Sequence, residues 1–157
     1  MTRKSVHEID EVLDKVLYVS RGLGRHCRRL IGGDMMDVSS PRYQCFQLKG
    51  IKCAECGIEG KFFAKEKSDD KHYSWHFNLY ALDAKGREVL MTKDHIIPYK
   101  RGGENHLANF QTMCKPCNEK KYLTMPNADV ADRIRWECGM DLRDYVEYYK
   151  SKKSLRD

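Results

Sequence analysis

Two Cys-x-x-Cys pairs, Cys53 with Cys56 and Cys114 with Cys117, constrain this chain more than any other feature. A two-residue spacer lets both sulfurs of a pair turn inward. Four such thiolates therefore read as one tetrahedral Zn²⁺ site that ties two distant stretches together. Gly57, directly after the first pair, suits the tight turn that such a knuckle needs. The chain has 7 cysteines, so Cys27, Cys45 and Cys138 are left over and scattered. They read as ordinary small buried side chains in a reducing compartment, not as a disulfide framework.

A length of 157 residues suits one domain with small appendages, and 33% charged against 41% hydrophobic residues fits a soluble protein. No apolar run is long enough to span a membrane. Nothing after Met1-Thr2-Arg3-Lys4 reads as a secretory signal, so the expected location is cytoplasmic. A net charge of +6 favours polyanionic partners without requiring them. Residues 21–29 hold Arg21, Arg25, Arg28 and Arg29 and no acid, the densest positive run in the chain. That run reads either as a solvated turn or as a patch that contacts phosphate.

Val6, Ile9, Val12, Leu13, Val16 and Val19 recur at three- and four-residue steps, which predicts a helix over 5–19 capped by Ser5 and Glu8 and ended by Gly22 and Gly24. Residues 43–48 alternate like a strand leading into the first cysteine pair, and 61–65 give a second short strand. Over 72–80 the alternation is strict. Tyr73, Trp75, Phe77 and Leu79 share one face, expected to be core, and His72, Ser74, His76 and Asn78 share the other. His72 and His76 stand at a spacing that converges on a helix, not on a strand, so they read as surface residues. A turn at 83–86 leads into a strand over 88–97 that Pro98 stops. A loop at 100–103, a strand at 110–113 and a helix from about Pro116 to Tyr122 follow. Two further helices are expected over 129–138 and 140–152. The chain then divides into an N-terminal helical and basic segment (1–42), a zinc-bound centre (43–124) and a helical extension (125–157).

The strand with Asp94-His95, the loop, the second strand and the helix opening at Cys114 form a ββα order. Asp94-His95-Ile96-Ile97-Pro98, Gly102-Gly103, Asn105, Leu107, Asn109, Gln111 and the run from Met113-Cys114-Lys115-Pro116-Cys117-Asn118 to Glu119-Lys120-Lys121 carry a resemblance to a known family. With the first cysteine pair they span about 52–122. They resemble the HNH endonuclease family, in the subset whose hairpin is clamped by a four-cysteine zinc. The resemblance implies an α+β fold with a zinc-bound ββα-metal core, an inserted antiparallel hairpin, an N-terminal helix and C-terminal helices.

It also implies roles. His95 is similar to the general base that takes a proton from the attacking water, and Asp94 to a ligand of the catalytic divalent ion. Asn109 holds the position that ties the loop to the hairpin, and Asn118 that of a carbonyl-oxygen metal ligand. The commoner pattern has histidine at the last position. The version here is also similar to the HNH domains of RNA-guided CRISPR nucleases and of the phage Holliday-junction-resolving endonuclease. Two oxygen ligands favour Mg²⁺ or Mn²⁺ over softer ions. The implied products are a 3′-hydroxyl and a 5′-phosphate, and the implied context is a phage or mobile element.

The chemistry supports the resemblance on physical grounds. Phosphodiester hydrolysis needs an activated water and stabilisation of charge on the phosphate and the departing 3′-oxygen. A neutral imidazole accepts a proton near neutral pH. Arg25, Arg28, Arg29, Arg101, Lys115, Lys120 and Lys121 are the candidates for contact with nucleic acid, each weighed against a solvated surface. The expected partner is DNA. A nuclease of RNA and a non-catalytic zinc module that binds nucleic acid stand as alternatives. One catalytic centre per chain cuts one strand at a time, so a double-strand break requires a homodimer or two encounters.

Overall fold

The computed structural model describes residues 1–18, 28–70, 72, 74–99 and 102–124. Val19, Gly22, Gly24, Arg25, Cys27, Tyr73, Lys100, Arg101, Cys138 and the helices expected over 129–138 and 140–152 lie outside the described residues. Among the described residues no helix is long and apolar enough to cross a membrane.

The architecture mixes helices with antiparallel sheet. Strands β1 (Thr2–His7), β4 (Gly60–Lys67), β5 (His76–Leu82), β6 (Glu88–His95) and β7 (Phe110–Cys114) form one sheet in the order β1-β4-β5-β6-β7. A separate ribbon pairs β2 (Arg28–Ile31) with β3 (Asp34–Asp37). Helices α1 (Ile9–Leu13), α2 (Pro41–Lys49) and α3 (Lys115–Thr124) complete the described elements, with a 3-10 turn at Leu107–Asn109.

Phe63, Phe77 and Leu79 from the centre of the sheet are fully buried beneath Tyr43 and Phe46 of α2 and Val12 and Leu13 of α1. Phe63 and Phe77 meet edge to face with ring centroids 6.3 Å apart, a geometry aromatic quadrupoles favour. Cys53 and Cys114 belong to the same cluster, so the cysteine knuckles grow directly out of the core. As the alternation predicts, Phe77 and Leu79 point inward, and Trp75 packs on the core from just before β5. His72 is exposed, whereas His76 is half-buried and meets Asn78 on the opposite face.

Two sequence-based expectations fail. The predicted helix over 5–19 is instead β1 followed by the five-residue α1. Ser5 pairs with Lys65 across the sheet, and its hydroxyl meets His7 Nε2 at 2.8 Å instead of capping a helix. Val6, counted as apolar periodicity, is 55% exposed. Long-range pairing decides the outcome. Arg3 reaches Glu66 through Nε at 2.8 Å and grips both carboxylate oxygens of Glu88 at 2.7 Å, which clamps the N-terminus along β4. The second failure is the strand expected over 43–48, which is helix α2. Ser40 caps it, its hydroxyl accepting from the Arg42 N–H, and Pro41 opens the first turn. Gly50, at φ +86°, ends it.

Lys65 is buried on the inner face of β4. Its ammonium pairs with Asp34 of β3, which also accepts from Lys4 at 2.9 Å, and lies 5.8 Å from the Trp75 ring centroid. The stem packs while the charge finds its partner, and the ribbon is thereby anchored to the sheet.

Candidate active site

The four sulfurs come together as the spacing predicts. Cys53, Cys56, Cys114 and Cys117 place their Sγ atoms all within 4.8 Å of one another, with Cys56 and Cys114 3.8 Å apart. A tetrahedron with Zn–S bonds of about 2.3 Å has sulfur–sulfur edges of about 3.8 Å, so the cluster has the dimensions of a four-thiolate zinc site. Gly57 supplies the turn at φ +76°, its N–H donating to Cys53 O at 3.0 Å. Ala54 N–H donates to Thr112 O at 2.8 Å, and Thr112 Oγ1 donates to Gly50 O at 2.6 Å, which ties the first knuckle to β7. Burial disfavours charge on the Cys53 thiol, but the backbone N–H groups of Cys114, Cys56 and Glu55 more than offset it and bring it down to about 7. Burial, with the nearby sulfurs of Cys114, Cys56 and Cys53, pushes Cys117 up. Burial also raises Cys114, with Cys53 adding to the effect. Crowded sulfurs resist sharing negative charge unless a cation lies among them.

Strand β6, a loop with the 3-10 turn, strand β7 and helix α3 follow in order, the two strands held by the ladder Met91–Cys114, Thr92–Met113, Lys93–Thr112, Asp94–Gln111 and His95–Phe110. The turn before β6 forms as expected, with Asp83 and Gly86 closing it and Gly86 at φ +75°. Pairing ends at His95, and Ile96 and Ile97 bend away before Pro98.

Asn109 is fully buried and makes three hydrogen bonds that close the loop between the strands. Its Oδ1 accepts from Ile97 N–H at 2.9 Å, and its Nδ2 donates to Ile97 O and Glu104 O, both at 3.0 Å. Gly103 lets the loop pass close by, because a Cβ there would fall 1.8 Å from Ile97 O and 2.9 Å from Asn109 Nδ2.

Asp94 and Asn118 share one face of the hairpin. Gln111 Nε2 and Lys121 Nζ both donate to Asp94 Oδ2, at 2.7 and 2.5 Å. Lys121 also donates to His95 O at 2.5 Å. Asn118, one helical turn before Lys121, donates from Nδ2 to Thr92 Oγ1 at 3.0 Å. Thr92 precedes Asp94 by two residues, about 7 Å along a strand and on the same face. A carboxylate and an amide oxygen are donors of the kind that hard divalent cations take; here the Asp94 carboxylate is paired with the Lys121 ammonium and the Asn118 NH₂ with Thr92.

His95 leaves the ladder on the other face, as strand alternation requires. Its ring meets Phe110 edge-on at 4.9 Å, and its Nε2 lies 2.6 Å from Asn105 Oδ1, which accepts the ring N–H. Lys93, on the same face, holds its ammonium 3.9 Å from the Phe110 centroid. The structure thus ties Asn118 to Thr92 and Asp94 to Gln111 and Lys121 on one face, and sets His95 at the strand end with Asn105.

The basic candidates separate. Arg28 and Arg29 are exposed on β2, and Lys120 is exposed on α3. Lys115 is exposed and 3.7 Å from Glu119. Lys121 is instead buried against Asp94, its ammonium turned inward and away from any phosphate on the surface. Sequence reasoning gave no role to Gln111, Thr92 or Lys93 and misjudged Lys121. The available signals were the pairing of Gln111 with Asp94 and the three-residue step from Asn118 to Lys121, which puts both on one helix face.

No curated protein and no solved structure matches the chain. Residues 83–129, which contain β6, β7 and α3, match the family model described as HNH endonuclease.

Proposed function

We propose that the protein is a metal-dependent endonuclease that hydrolyses DNA phosphodiester bonds. The observation that carries this reading is the Asp94 and Asn118 pair on one face of a family-matched hairpin, beside His95 at the strand end. Asp94 and Asn118 hold the divalent ion, Mg²⁺ or Mn²⁺, which when bound stabilises charge on the phosphate and the leaving 3′-oxygen. His95 has its Nε2–H committed to Asn105, so Nδ1 is the nitrogen that takes the proton from water. Asn109 and Gly103 keep the loop that carries Asn105 in place. The zinc cluster acts as a clamp, joining the first knuckle to the β7–α3 junction.

A second reading, a zinc-stabilised module that binds nucleic acid without cutting it, is favoured by the Asp94–Lys121 ion pair, because the ammonium already balances the carboxylate. Incubating zinc-loaded protein with supercoiled plasmid and Mg²⁺ or Mn²⁺, beside His95→Ala, separates the two. Nicking by wild type that the variant loses while keeping its zinc supports the nuclease. No nicking by either supports the binding module, and equal nicking by both counts against the His95-dependent nuclease. Labelled RNA and DNA digested in parallel decide the substrate.

A further inference from the structure

Thr92 Oγ1 sits between two groups with fixed roles. Met113 O, 2.9 Å away, is a carbonyl and can only accept, so the single hydroxyl proton of Thr92 points to it. The same oxygen lies 3.0 Å from the Asn118 amide and has only lone pairs left to offer there. Asn118 must therefore turn its NH₂ toward Thr92 and carry its carbonyl oxygen on the other arm of the amide. Neither Met113 O nor the register of β6 with β7 can change without breaking the ladder.

We propose that Thr92 is a positioning residue for the divalent-ion site, fixing the Asn118 amide so that its oxygen, and not its NH₂, is offered to the cation. This inference rests on the proposed metal role of Asp94 and Asn118 and goes beyond it. An NH₂ group facing a cation repels it, and an amide free to rotate loses part of its ligand strength to the wrong orientation. Groups that orient a ligand in this way are typically worth about 10–100-fold in metal affinity.

The test is Mn²⁺ binding to the full zinc-loaded chain, followed by electron paramagnetic resonance. Thr92→Val removes the acceptor at nearly constant shape and is expected to weaken Mn²⁺ binding about tenfold or more, while Thr92→Ser stays within about threefold of wild type. Asn118→Asp presents oxygen on both arms, so adding Thr92→Val to it is expected to cost less than about threefold. A purely packing role for Thr92 would penalise both backgrounds alike.

Should Thr92→Val not fold, wild-type protein still decides. A nuclear Overhauser contact between the Asn118 side-chain NH₂ and the Thr92 methyl is expected, and its absence overturns the proposal. Mn²⁺ binding that Asp94→Asn abolishes but Thr92→Val leaves intact overturns this inference alone. No Mn²⁺ binding by wild type overturns the metal reading and this inference together.

Discussion

Replacing Asn109 by alanine removes three hydrogen bonds from a side chain with no solvent exposure. Glu104 is exposed, so its carbonyl can turn to water. Ile97 is 1% exposed, so its N–H and C=O are both left without partners. At about 1–3 kcal/mol for each orphaned buried group, the expected loss is roughly 2–6 kcal/mol. Asn109→Asp keeps the acceptor for Ile97 N–H but sets a second carboxylate oxygen against two carbonyls. At neutral pH it should be less stable than Asn109→Ala. Its carboxyl is then raised above its unfolded value, so the penalty is present at high pH and fades as pH falls through the raised value. The assay is urea unfolding at fixed excess zinc, because metal binding otherwise enters the measured stability. A loss below about 1 kcal/mol for Asn109→Ala, or an aspartate variant as stable as wild type at neutral pH, refutes the reasoning.

Three other outcomes follow from the same contacts. Lys121→Met leaves Asp94 buried and unpaired, which should cost about 3–5 kcal/mol, and adding Asp94→Asn should recover much of it; strictly additive losses in urea unfolding would contradict a direct pair. Cys117→Ser should release the zinc, measured as metal per chain, and melt the centre by circular dichroism; a natively folded variant that keeps one zinc would contradict the four-sulfur site. Lys65, and next Lys4, hold the Asp34 carboxyl down to about 2. A depressed carboxylate stabilises the fold above its ordinary value and loses that contribution as pH falls, so stability should decline between about pH 4 and about 2. The difference from Asp34→Asn should shrink over that window; a difference constant with pH would contradict the pairing.

The features that could be read in the sequence are those whose chemistry is local. The Cys-x-x-Cys spacing, the turn glycines at 57 and 86, the alternation into Phe77 and Leu79, and Pro116 at the opening of α3 each limit the backbone within a few residues. The N-terminus was misread because Val6 and Ile9 fit a helical period, while β1 exists through partners some sixty residues away. No local pattern shows that Arg3 will bridge Glu66 and Glu88. For α2 the signal was present, since Ser40-Pro41 is a helix start, but the alternation after it competed and lost. At the site, residue identities were visible and side-chain directions were not. Lys121 looked like a surface lysine until the packing of α3 on β6 buried it on Asp94.

Mn²⁺ diffused into crystals of the zinc-loaded protein and located by anomalous scattering tests the central claim most directly. The account predicts a peak bound by oxygens of Asp94 and Asn118, with Lys121 displaced or shifted from Oδ2 and the four-cysteine site still holding zinc. Crystals in which Mn²⁺ avoids both residues and the Asp94–Lys121 pair stays intact would contradict it.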